Sequence, residues 1–399
     1  MKFYFKVYQY SLLLMILWSQ HAWFTWMLDS DKIVGYFFDI LFLFVAFYYK
    51  SECDIKVVLN KKKQLALYTL LLGLVLSLDT IKTIPNYIVV YLPLLVLASD
   101  KRYCSNHIEI LSKLLGIIVV IGIVPYLLWL IGSLNIDGTF IKYGEYDEFY
   151  NYYFFIVPST MTSGFRYQSV FLEPGYLGTL CALFLYINNY NLRKYYNFFF
   201  LIALLFSLSL AGYMLTIIGL FLQIGIQKKK YFALLLSFGI LISGYLFMTQ
   251  YEGGNNYFNW MIVERLQYDE DKGFSGNNRF DEKTDKLFKQ SMEDGRFLFG
   301  IGTEEFENQK IEGAGYKVFI LHYGIIAYAL ILLFYWIEAS IVRDKRKAFC
   351  MCLMLYSSFF KTTNPISYFW LILFFLYINS GDYVKEMTKN KIKVLMNKT

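Results

Sequence analysis

Apolar runs long enough to cross a bilayer recur along this chain, and they restrict its fold more than any other feature. A helix needs roughly 20 such residues to span the hydrocarbon core. Within lipid only bundled helices or a closed barrel satisfy the backbone. The runs are continuous rather than alternating, which predicts helices. Charged residues make up 17% of the 399 positions and hydrophobic residues 57%, against roughly 25% charged in a soluble domain. The expected fold class is therefore an all-α polytopic membrane protein.

Twelve spans are predicted, at about 7–28, 33–49, 64–80, 86–99, 108–131, 168–190, 195–209, 211–227, 231–249, 317–337, 348–361 and 364–380. The first follows Lys2 and Lys6 like a signal peptide. It runs on through Trp18, Trp23 and Trp26 without a small-residue cleavage site, so it reads as a retained span. The stretch 195–227 is apolar throughout and broken only at "SLSLAGY", around Ala211 and Gly212. Two short spans with a tight outer turn are expected there. One long helix would put the Lys228, Lys229 and Lys230 run outside, against the positive-inside rule. With both termini cytoplasmic, the other cationic clusters also fall inside: Lys61 to Lys63, Lys101 and Arg102, Arg193 and Lys194, Arg343 to Lys347, and the lysines of the tail. The net charge of +7 is mostly this inner-face excess and does not argue for nucleic-acid binding. The five cysteines (53, 104, 181, 350 and 352) show no CxxC or Cys/His spacing, so neither disulfides nor a zinc site is expected.

Two outer segments are large. Residues 132–167 are rich in tyrosine and acid, and residues 250–316 form the only long polar stretch, with more acid than base. Long loops of this kind tend to carry function. The expected organisation is one membrane domain with a folded outer cap.

The outer segments hold the candidate chemistry. In "GFRYQSVFLEPGYLG" (164–178), Pro174 suits the first turn of a helix and Glu173 avoids the α region before it. The span should begin at Pro174, with Glu173 at the positive end of the helix dipole. Arg166 lies just outside. Such charges at membrane depth either pin the loop as a salt bridge or cap, or form an anion-handling site. Arg279 stands in the second segment, ahead of an amphipathic pattern of Phe280, Leu287, Phe288 and Met292 that suits a helix lying on the membrane surface. "FGIG" (299–302) lacks the preceding strand and following GK[ST] of a phosphate loop. "YDEDK" (268–272) contains Asp-x-Asp, a form also common in solvated acidic turns. His322, near the outer end of a span, is either a general base or a packed ring. Lys361 and Asn364 lie at the turn between the last two spans, where they line the cavity or snorkel. Asp39, inside the second span, is an expensive intramembrane acid whose partner the sequence does not name.

Together "FRYQSVFLEPGYLG", the "LSLAGY" break, Arg279 and "FGIG…EGAGYKVFILHYGIIAY" resemble the Wzy-type polysaccharide repeat-unit polymerases and the related O-antigen ligases, over about residues 160–330. The resemblance implies a multi-span, GT-C-like glycosyltransferase at the outer face of the bacterial cytoplasmic membrane. Its substrates would be undecaprenyl-diphosphate-linked oligosaccharides, with no nucleotide, metal or other cofactor, and a flippase and a chain-length regulator would be its partners. Arg166 and Arg279 would bind the diphosphate. Glu173 would be the general base or would orient Arg166. Tyr146 and Tyr150 would offer sugar-stacking surfaces, and Lys361 would line the site. Ligases of this superfamily are expected to carry a histidine in the long outer loop; "KIEGAGYK" has none, which favours polymerase over ligase. A lipid-linked oligosaccharide flippase is the main alternative of another class, with a channel, scaffold or binding protein behind it.

Overall fold

A computed structural model describes residues 2–28, 33–57, 59–76, 92–97, 99, 104–134, 137–143, 147–159, 166–257, 259–264, 268–269, 273–274, 282–309, 311, 315–362 and 364–380. Arg279, Tyr146 and Phe280 lie outside the described residues, as do much of the fourth expected span and the tail.

The chain is dominated by helices. In order they are α1 (Lys2–Ser19), α2 (Trp23–Leu28), α3 (Ile33–Glu52), α4 (Lys61–Leu76), α5 (Cys104–Leu130), α6 (Pro174–Ile187), α7 (Tyr195–Ser207), α8 (Leu210–Leu220), α9 (Tyr231–Gln250), α10 (Glu282–Glu293), α11 (Thr303–Asn308), α12 (Tyr316–Ile341), α13 (Lys345–Phe359) and α14 (Tyr368–Asn379). A π-helical stretch, Phe221–Gln227, extends α8. Among the described residues, four helices are long and apolar enough to cross a membrane: Cys104–Leu130, Leu210–Gln227, Tyr231–Gly254 and Tyr316–Ile341. Three shorter apolar helices, α6, α7 and α14, join them.

Burial orders these helices. α6 and α14 are apolar on every face and almost wholly buried, as a helix without a polar stripe must be. α6 packs against α7 and α8, while α14 packs against α1, α5 and α13. α12 lies along α4. α9 instead exposes its apolar residues, among them Phe232, Leu235 and Ile242. Asp39 acquires a partner across the fold, because the Tyr368 hydroxyl at the start of α14 donates to Asp39 Oδ1 on α3.

Two departures from the expected spans bear on the segments that carry the candidate residues. The first apolar stretch is two helices, not one. It breaks at His21, a non-glycine residue at φ 51. The break lets the chain pair with a distant segment: Trp23 N–H donates to the Val170 carbonyl at 2.8 Å, and Leu172 N–H to the His21 carbonyl at 3.0 Å. The expected outer cap also contains a sheet. β1 (Thr139–Tyr143), β2 (Asp147–Asn151) and β3 (Ile156–Pro158) form an antiparallel meander in which Phe140 opposes Tyr150 and Ile141 opposes Phe149. Its inner face (Ile141, Phe149 and Ile156) packs with Leu172 against Trp26, Tyr143 and Tyr176. A second hairpin, β4 (Tyr268–Asp269) with β5 (Gly273–Phe274), carries Asp269 of the acidic stretch, whose turn lies outside the described residues.

Candidate functional site

α6 begins where the Pro-Gly pair predicts. Pro174 occupies the first turn, and Glu173 is the N-cap residue with extended φ −133 and ψ 148. The Glu173 carbonyl accepts from Tyr176 N–H at 3.1 Å, while its side chain caps nothing and stays exposed. Proline lacks an N–H to satisfy, and the helix dipole adds partial positive charge here.

Lys361, from the turn before α14, reaches this end of α6. Its ammonium is buried and lies 5.4 Å from the centre of the Tyr176 ring, within cation–π range. A β-carbon at position 175 would overlap Lys361 Nζ and lie 3.6 Å from Glu173 Oε2. The ammonium and the carboxylate therefore converge on the bare face that Gly175 leaves open. The overlap falls on the end of a flexible side chain, so Gly175→Ala should move the lysine rather than unfold the helix. The variant should keep its thermal unfolding midpoint within a few °C, because displacing the ammonium is offset by the roughly 1 kcal/mol that alanine gains over glycine within a helix, and should lose whatever activity the ammonium supports.

Next to this pair stands a ring cluster that the sequence did not single out. The rings of Tyr176 and His21 are 5.5 Å apart. His21 Nδ1 is 3.4 Å from the Tyr143 hydroxyl on β1, and Tyr143 meets Trp26 edge-on at 5.0 Å. The only sequence signal for this cluster was that His21 is one of three histidines in the chain.

Arg166 sits one helix crossing away. Its Nε donates to the Ser207 carbonyl at 3.1 Å, and the neighbouring Tyr167 N–H donates to the Phe206 carbonyl at 2.9 Å. The turn they grip is the expected break, found at Leu208 (φ 45), with Ser209 capping α8 by accepting from Gly212 N–H at 3.2 Å. The turn lies against α6: a β-carbon at Gly178 would come within 2.5 Å of Ser209 Cβ and 3.1 Å of Ser207 Oγ. Arg166 also faces the second outer segment. Burial pushes the Tyr257 phenol above its ordinary value and the Arg166 charge opposes that rise.

The His322 ring is half-buried. It stacks on Phe306 at 4.1 Å and on Tyr323 at 3.9 Å, with Nε2 3.2 Å from Thr303 Oγ1. Tyr150 is exposed on the outer face of the meander, 6.1 Å from Phe140, beside the Lys142–Glu148 ion pair at 2.7 Å. The amphipathic helix forms as α10, and Lys317 on α12 holds it through Asp285 at 2.7 Å and through the Phe288 face at 5.7 Å. Its buried side also includes Thr284 and Ser291, and Met292 is exposed. Among the described residues, no group of three or more His, Cys, Asp or Glu side chains gathers to hold a metal ion.

Fold and composition define a mostly helical protein with several helices of membrane-span length and apolarity, carrying charged groups at the N-terminal end of a buried helix. Comparison with family models, with curated proteins and with solved structures finds no match to the chain.

Proposed function

We propose that the chain is a twelve-span glycosyltransferase of the bacterial cytoplasmic membrane, with both termini cytoplasmic. It polymerises undecaprenyl-diphosphate-linked oligosaccharide repeat units into surface polysaccharide, O-antigen or capsule, on the outer face. A flippase supplies its substrate, and a chain-length regulator is its natural partner.

The observation that carries this reading is the convergence of Lys361 and Glu173 on Gly175 at the positive end of a buried helix, with Arg166 on the adjoining turn. A helix N-terminus with cations around it suits a phosphate-bearing ligand. Diphosphate is the leaving group of the proposed transfer, and cations aimed at it offset the charge it gains as the bond breaks. Arg279, from the long second segment, completes the cationic set in this reading.

The test substitutes Arg166 or Arg279 by alanine and sizes the surface glycan. Single repeat units should persist on the carrier while long chains fall at least tenfold, because loss of one charge-assisted contact costs about 1.5–3 kcal/mol. Normal chain lengths in both variants would remove these arginines from the site. Glycan that never reaches the outer face would point to transport instead.

A further inference from the structure

We propose that His21 is the general base of the transfer, taking the proton from the acceptor sugar hydroxyl. The inference rests on the polymerase reading and assigns the base that it leaves open.

His21 takes the left-handed position that closes α1 (φ 51), a conformation histidine enters more readily than most side chains. Ala22 N–H donates to the Leu17 carbonyl at 3.1 Å and completes the helix cap. His21 N–H donates to the Trp18 carbonyl at 3.1 Å, the His21 carbonyl accepts from Leu172 at 3.0 Å, and Ala22 bridges to Phe171. The turn is thereby tied to the two residues that precede Glu173, so the ring's position is fixed relative to the α6 N-terminus.

The ring itself is set as a base requires. It is partly exposed. Nδ1 faces the Tyr143 hydroxyl at 3.4 Å. A base at Nε2 requires the tautomer in which Nδ1 donates to that oxygen and Nε2 carries the lone pair. One ring further on, Tyr176 touches both His21 at 5.5 Å and the Lys361 ammonium at 5.4 Å. A proton acceptor and a cation for the leaving group thus flank a single aromatic side chain. His322, by contrast, is stacked on two rings, with Nε2 turned to Thr303.

The step balances with the substrates alone. The acceptor oxygen forms its bond to the anomeric carbon and its proton passes to Nε2. The bond from the anomeric carbon to the diphosphate oxygen breaks, and the electron pair leaves on the diphosphate. Glu173 then serves to hold Lys361 over Gly175 rather than to take the proton.

The experiment uses the full-length protein in proteoliposomes with undecaprenyl-diphosphate-linked repeat units. His21→Asn and His21→Gly both tolerate positive φ, so they keep the turn and remove the base. Turnover should fall about 10²- to 10⁴-fold, the range a general base contributes. KM for the acceptor should change less than threefold, and the unfolding midpoint should stay at the wild-type value. Added imidazole should restore part of the turnover of His21→Gly. Turnover within threefold of wild type in either variant overturns the assignment. So does a loss in both variants that imidazole leaves unchanged, which would make His21 a structural residue. Wild-type protein that elongates nothing overturns the polymerase reading itself, a result distinct from either of these.

Discussion

Gly300→Ala should release the segment 294–309 from α12, making it the most disruptive single methyl group among the described residues of 250–316. α12 is kinked at Gly324 (φ 89, ψ 158), and the kink turns carbonyls out of the helix ladder. The "FGIG" segment fills the opening. Ile301 N–H donates to the Leu321 carbonyl at 2.8 Å, and Gly302 N–H to the His322 carbonyl at 3.3 Å. Two glycines permit the approach. A β-carbon at Gly300 would overlap the His322 carbonyl, and one at Gly324 would overlap the Leu298 carbonyl. Both glycines also have positive φ, 80 and 89. Backbone has nowhere to retreat, so strain and overlap add to about 3–5 kcal/mol for either alanine. On the other side of the segment, Arg296 clamps it through Asp294 at 2.7 Å and Glu305 at 2.8 Å. The Arg296 backbone N–H, which donates to Asp294 Oδ1 at 3.0 Å, and after it the Arg296 guanidinium hold the Asp294 carboxyl below its usual range. That exposed clamp is too weak to compensate. Proteolysis within 294–309 should therefore accelerate at least 100-fold in Gly300→Ala and in Gly324→Ala, since cleavage tracks local opening. Gly239→Ala on α9 is the matched control, with open space around it and an ordinary φ. Equal protection in all three proteins would refute the interlock.

Much of this arrangement was legible, and what was not has physical reasons. The start of α6 is dictated locally, because proline lacks a donor and restricts the residue before it. The "SLSLAGY" break was found within three residues of its place, since a short polar gap in a long apolar run marks where one helix ends and the next begins. The meander was missed because its strands carry aromatic residues on both faces: Phe140 and Tyr150 point out while Ile141 and Phe149 point in. Alternation then carries no polarity signal. The break at His21 falls on the short polar gap Ser19-Gln20-His21, which ends α1 too briefly to announce a new element; residues 170–172, about 150 positions along the chain, offer the backbone partners that hold it. Lys361 meeting Gly175 is equally non-local. The buried face of α10 includes Thr284 and Ser291, which polarity alone would assign to water. Sequence thus located the start of α6 and the charges beside it, and tertiary contacts selected which of the remaining side chains stand near them.

Gly178→Ala and Gly212→Ala should each loosen the crossing of α6 and α8, and their effects should not add. The two glycines face one another. A β-carbon at 178 would meet Ser209 Cβ at 2.5 Å, and one at 212 would meet the Gly178 carbonyl carbon and oxygen at 2.9 Å. Between apolar helices in lipid, close packing of small residues supplies much of the association energy. Forcing one methyl group into the crossing costs about 1–3 kcal/mol, set against roughly 1 kcal/mol gained by replacing glycine within a helix. Once the first alanine has parted the helices, the second meets less resistance, so the double variant should fall short of the sum by at least about 0.5 kcal/mol. The consequence reaches Arg166, because its acceptor, the Ser207 carbonyl, belongs to the turn that Gly178 touches. Under the polymerase reading both variants should therefore shorten the surface glycan. Gly219→Ala separates the two effects. It lies on α8 seven residues beyond Gly212, about 10 Å along the axis, where a β-carbon would overlap the Tyr190 hydroxyl. It should destabilise the protein and leave chain length unchanged, because the Arg166 turn is out of its reach. Shortened chains in Gly219→Ala, or strictly additive unfolding energies in the 178/212 double variant, would break the link drawn between this crossing and the arginine.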